Sequence, residues 1–143
     1  MENRITLIKL RKPSLKNVNT DLQWFSESLG LFGERDKEKS CFRVFMELIK
    51  AIRMRRLLTS DNIAMKSNLT RATVIHHLRK LQESGLVVHE NGKYILRNDN
   101  LEDLINEIKR DVFTLLQDMH DIAEELDDEL GLNKRKKTSR VVE

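Results

Sequence analysis

Apolar positions change their spacing along this chain, and each change predicts an element. Ile5 to Leu10 is a short apolar-rich run that reads as a strand, and Pro13 breaks any continuation of it. Asn19-Thr20-Asp21 supplies N-cap chemistry for a short helix through Leu29, in which Leu22, Phe25 and Leu29 share a face and Gly30 closes the end. From about Asp36 to Leu58, Cys41, Phe45, Leu48 and Ile52 recur at helical spacing. Val44 and Ile49 widen that stripe, and the final turns of this amphipathic helix carry Arg53, Arg55 and Arg56. Those arginines are solvated or face a phosphate; the spacing favours neither.

The next stretch is a compact unit. Thr59 can cap a short helix carrying Ile63 and Ala64, and Lys66-Ser67-Asn68 makes a turn in which Asn68 suits a left-handed conformation. Thr70 caps a second helix running to about Ser84, closed by Gly85. Leu86-Val87-Val88 and Tyr94-Ile95-Leu96 are β-prone and flank Asn91-Gly92, a strong hairpin signal. On the second helix, Val74, Leu78 and Leu81 point within a narrow arc and must face the core. The opposite arc holds Ala72, His76, Arg79 and Glu83, flanked by Thr73, Ile75 and Lys80. His77 falls between the two arcs and is expected as a partly buried packing histidine.

The last long element begins near Asn100. Leu101, Ile105, Ile108, Val112, Leu115, Met119, Ile122 and Leu126 alternate intervals of four and three, an unbroken heptad seam that predicts a coiled-coil partner helix. Thirty helical residues would extend ~45 Å, too long to lie only on a domain this small. Gly131 stops the helix. Beyond it, Lys134-Arg135-Lys136-Lys137 lies in a basic tail expected to be disordered, either a nucleic-acid or localisation patch or a solubilising end.

Charge is sorted along the same boundaries. Residues 1–16 carry five Lys/Arg against Glu2, and residues 35–97 carry fourteen against six acids. Residues 98–130 carry two against twelve acids, so the formal net charge of +3 conceals a basic centre beside an acidic helix. That division reads as a polyanion-binding module joined to something that must stay off the polyanion. The single cysteine excludes an internal disulfide framework and any zinc site built from several cysteines of one chain. Cys41 falls on the core stripe, which favours burial over redox sensing. No window approaches the ~18 consecutive apolar residues of a membrane span, and the start MENRITLIKLRKPS has no signal-peptide pattern.

The run from Thr70 to Val87 (TRATVIHHLRKLQESGLV) resembles the recognition helix and first wing strand of winged helix-turn-helix regulators, closest to the ArsR-like group of prokaryotes. The residues that carry the resemblance are Ala64, Val74, His77-Leu78, Leu81 and Gly85-Leu86-Val87. It covers roughly residues 40–97, and residues 1–34 match nothing in it. It implies a mainly α fold with a small β-hairpin wing, whose recognition helix enters the major groove of duplex DNA. Arg79 is then the best base reader, with His76, Ala72 and Ile75 able to touch base edges. Thr70, Arg71 and Thr73 sit in the first turn, where free amides favour a phosphate, and Lys80 and Lys93 are further candidate DNA contacts. Glu83 is a misfit, since it would repel phosphate. The acidic C-terminal helix matches the family's habit of dimerising outside the DNA reader.

Many ArsR-like proteins release DNA on binding a metal. One family site uses paired cysteines on the recognition helix, and none are there. Another uses Asp-x-His on the C-terminal helix together with a His and a Glu from the partner. Asp118-Met119-His120 matches its first half, but Gly131 stands where a second His is expected. No metal site and no cofactor are expected. No phosphate loop, His-Glu-x-x-His or nucleophile elbow is present, so the chain does not read as an enzyme.

The expectation is therefore an N-terminal extension at residues 1–34, a winged helix-turn-helix at 35–97, a dimerisation helix at 98–130 and a basic tail at 131–143. The function expected is sequence-specific binding of double-stranded DNA as a homodimer that regulates transcription, cytoplasmic and nucleoid-associated. The alternative is a winged-helix protein-interaction module docking on transcription or replication machinery.

Overall fold

A computed structural model describes residues 3–33 and 39–132. Its elements are α1 (Val18–Ser28), α2 (Ser40–Arg53), β1 (Leu58–Thr59), α3 (Ser60–Ser67), α4 (Arg71–Glu83), β2 (Val87–Glu90), β3 (Lys93–Leu96) and α5 (Leu101–Leu130). The chain divides into two compact units, Met1–Ile105 and Asn106–Glu143.

The core of the first unit forms where the stripe of α2 meets the inner faces of α3, α4 and β3. Val44, Phe45, Leu48, Ile63, Val74, Leu78 and Leu81 are completely buried, joined by Cys41 and Leu86. Full burial of each large aliphatic or aromatic side chain contributes about 1.5–3 kcal/mol, so this cluster holds α4 against the body. The three strands form one antiparallel sheet in the order β1-β3-β2. Val87 pairs with Leu96 and Glu90 with Lys93, and β1 adds Leu58 opposite Tyr94. The hairpin turns at Asn91 (φ 52°) and Gly92 (φ 75°). Two consecutive positive φ values define the tight turn whose twist matches the strands.

Two boundaries differ from the pattern reading. α2 stops at Arg53 because Arg55 adopts a left-handed conformation (φ 54°). Its N–H donates to Ile52 O at 3.0 Å and the Arg56 N–H to Ala51 O at 2.9 Å, which closes the last carbonyls. The chain then turns into β1, so Leu58 is a buried strand residue, and of the three arginines only Arg53 is helical. Arginine is not the residue that sequence rules place at such a stop. The proposed start of α2 near Asp36 lies outside the described residues. α1 begins earlier than its expected cap: Asn17 caps it through Thr20 N at 3.2 Å. Asp21 instead sits in the first turn, where its charge favours the helix dipole.

The run Ile5–Leu10 belongs to no helix and joins no sheet. Arg4 N donates to Glu83 O (2.7 Å) and Ile8 N to Ser28 O (2.8 Å), so the segment ties off two helix ends instead of pairing with a strand edge. Ser84, Leu86 and Gly85 satisfy the carbonyls of Lys80, Leu81 and Gln82, and Arg4 takes the last one. All four terminal carbonyls of α4 are thereby bonded.

α5 opens at Asn100, whose side chain accepts from Asp103 N at 2.8 Å, and closes at Gly131 (φ 66°). The Leu132 N–H there donates to Asp127 O at 2.9 Å. Leu104 and Ile108 are buried, and Leu101, Ile105 and Val112 are half-buried. From Leu115 onward the seam is open: Leu115, Met119, Ile122 and Leu126 are 51%, 58%, 54% and 47% exposed. The tail from residue 133 lies outside the described residues.

Candidate nucleic-acid interface

A chain of caps positions α4. Thr59 and Asn62 bond reciprocally at the start of α3, each side chain accepting from the other residue's N–H at 3.1 Å. α3 ends at Asn68, which is left-handed (φ 55°, ψ 46°) as its amide side chain allows. Arg43 reaches over from α2 and donates to the carbonyl of Ser67, with Asn68 O at 3.5 Å. A cation at those carbonyls meets the negative end of the α3 dipole and clamps the turn between the two helices. Sequence reasoning missed Arg43; its half-polar position on an otherwise core-facing stretch of α2 was the available signal.

Thr70 then caps α4. Its Oγ1 accepts from Thr73 N at 3.2 Å, and its hydroxyl donates to Thr73 Oγ1 at 2.8 Å. That leaves the Thr73 hydroxyl proton to donate outward. Arg71, Ala72, His76, Arg79 and Lys80 are exposed and Ile75 is half-buried, so the side of α4 opposite Val74, Leu78 and Leu81 faces solvent. Arg79 makes no hydrogen bond or ion pair among the described residues and is free to donate to a ligand. Arg71 is held differently. Its Nε lies 3.5 Å from Asp61 Oδ1 on α3, with both side chains largely exposed. A carboxylate thus stands beside the first turn, where a phosphate contact was expected.

His77 is buried beneath this surface. Its Nε2 lies 2.7 Å from Ser40 Oγ at the start of α2, and the ring of His76 meets it edge-on at 5.2 Å. It packs the helix against the body, as its position between the two arcs predicts. On the wing, Lys93 is exposed beside the turn, opposite Glu90. His89 and Tyr94 are cross-strand partners whose rings stack at 4.1 Å, 1° from parallel. That stack stiffens the hairpin by about 0.5–1.5 kcal/mol beyond its area.

On α5, His120 is grouped with Asp121 and Glu124, not with Asp118. His120 Nδ1 lies 3.4 Å from Glu124 Oε1 and 3.9 Å from Asp121 Oδ1, all exposed. Residues four apart on a helix, as His120 and Glu124 are, meet in this way without any metal.

Residues 46–88 match the family model described as bacterial regulatory protein, arsR family. The matched segment runs from within α2 through α3 and α4 into β2, less than a third of the chain, and it has the architecture of a winged helix-turn-helix. Neither the curated proteins nor the solved structures contain a match to the chain. Among the described residues, no helix is long and apolar enough to cross a membrane.

Proposed function

We propose that this protein is a homodimeric regulator of transcription that reads a specific duplex DNA sequence with α4. The observation that carries the reading is the exposed side of α4 opposite its buried stripe. There Ala72, His76 and the unpaired Arg79 are spaced at intervals of four and three on a helix capped by Thr70. Arg79 supplies a bidentate bond to guanine, and His76, Ala72 and Ile75 touch neighbouring base edges. Arg71, Thr73 and Lys80 face the backbone, and Lys93 reaches it from the wing. Dimerisation through the open seam of α5 sets two half-sites about one helical turn apart.

Selection from random duplexes, followed by anisotropy on selected and scrambled DNA, tests this. Arg79→Ala should cost about 1–3 kcal/mol on the selected site and little on scrambled DNA. Lys93→Ala should weaken both alike and lower the salt slope by roughly one unit per contact. Equal affinity of wild type for both duplexes, unchanged in both variants, would mean that α4 is not a reader. Light scattering tests assembly: Leu115→Asp with Met119→Asp should give monomers from a dimeric wild type.

A further inference from the structure

We propose that the basic N-terminal segment, residues 4–16, of one protomer lies along the acidic edge of α5 of a second copy; the proposal rests on the homodimer reading above. Between Asn3 and Thr20 the chain carries five cations and no carboxylate. Two backbone bonds, Arg4 N to Glu83 O and Ile8 N to Ser28 O, hold the segment in place. Thr6 seats its methyl over Gly30, where a Cβ would come within 2.6 Å of it. Yet Lys9, Arg11, Lys12 and Lys16 have no ion-pair partner among the described residues, and the segment that carries them is largely exposed. Leu7, Ile8, Leu15 and Val18 alternate with them at 56%, 44%, 79% and 74% exposure. A surface of this kind fits a partner that offers an apolar stripe bordered by anions.

The C-terminal part of α5 is such a surface. At about 100° per residue, Leu115, Met119, Ile122 and Leu126 form one stripe, and Asp118, Glu125 and Glu129 form a column along one edge of it. All three acids are exposed. From Asp111 to Leu130 there are eight acids and no Lys or Arg. Two such helices brought together in a dimer repel each other, so a dimer built on this seam needs cations supplied from elsewhere. Residues 9–16 extended reach up to ~26 Å, enough to track the ~17 Å of helix between Asp118 and Glu129. The segment is anchored at the Glu83 end of α4, opposite the turn that carries Thr70 and Arg71, which argues against the same DNA as its occupant.

Two charge-reversed full-length chains test this by sedimentation equilibrium at low salt. One carries Lys9→Glu, Arg11→Glu and Lys12→Glu; the other carries Asp118→Lys, Glu125→Lys and Glu129→Lys. The first alone should dimerise about thirtyfold more weakly than wild type, the product of roughly six exposed pairs worth less than twofold each. The second loses the same pairs but also relieves repulsion between the two helices, so its loss should be smaller. Mixed in equal amounts, they should recover near-wild-type association as a heterodimer, tighter than the helix-reversed chain mixed with wild type. Only in the first mixture does each segment meet a helix of opposite charge on the other chain, while the helix–helix charges are the same in both. Circular dichroism checks that both fold, and Lys9→Gln, Arg11→Gln and Lys12→Gln replace the first set if it does not. A mixture no tighter than either chain alone overturns the proposal, as a contact within one chain would produce. So does a reversed segment that leaves the dimer intact and lowers affinity for random duplex DNA, which would assign the segment to DNA. A monomeric wild type would instead remove the homodimer reading, and the proposal with it.

Discussion

Asp61→Asn should tighten DNA binding, although it deletes an ion pair. In the free protein Asp61 holds Arg71 Nε at 3.5 Å, with the two side chains 73% and 67% exposed. At that distance two unit charges in water attract by roughly 1.2 kcal/mol before salt screening, and exposed pairs of this kind contribute about 0.2–1 kcal/mol. A phosphate bound by Arg71 would stand ~7 Å from the carboxylate, a repulsion of roughly 0.6 kcal/mol. The amide removes that repulsion and frees the guanidinium, so affinity should rise about threefold per protomer and up to about tenfold for a dimer. The substitution also removes an acid from the first turn of α3, at a cost of about 0.3–1 kcal/mol in stability. Thermal melting separates that loss from the binding gain. Anisotropy titrations on one duplex from 50 to 300 mM salt are the assay, with the gain shrinking as salt rises. Unchanged or weaker binding at low salt would show that Arg71 does not meet a phosphate, and the placement of the first turn of α4 would be refuted.

Arg43→Met should lower stability by about 1.5–3 kcal/mol in urea, because it strips a charged donor from the carbonyls that end α3. If only surface charge mattered, stability would not change. Gly30→Ala should cost at least about 1–2 kcal/mol from its left-handed backbone (φ 74°), with a clash against Thr6 in addition, again read by urea. The added Thr6→Gly change should relieve the clash and leave the backbone cost. His120→Ala should leave DNA affinity in the presence of zinc unchanged; a zinc-dependent loss of binding that this substitution abolishes would restore metal sensing.

Much of the winged helix-turn-helix was legible because its signals are local. Thr59, Asn68, Thr70, Gly85 and Asn91-Gly92 each act on backbone within a few residues, and all occupy the caps and turns their chemistry predicts. The stripe of Val74, Leu78 and Leu81 named the buried side of α4, and so the exposed side as well. Burial of Cys41 came in the same way from the period of α2.

The features that stayed hidden depend on partners distant in sequence. An apolar run such as Ile5–Leu10 has the same local preference whether it finds a strand edge or two helix ends, and only the packed chain brings Glu83 and Ser28 to its amides. β1 is too short to announce itself and exists because β3 lies beside Leu58. Nothing in the local sequence marks the partners of Arg43 or Asp61; the fold sets one against the α3 carbonyls and the other against Arg71. Periodicity marks which residues want a common face. How far that face is already covered is a property of tertiary packing, which buries Leu104 and leaves the seam from Leu115 to Leu126 open.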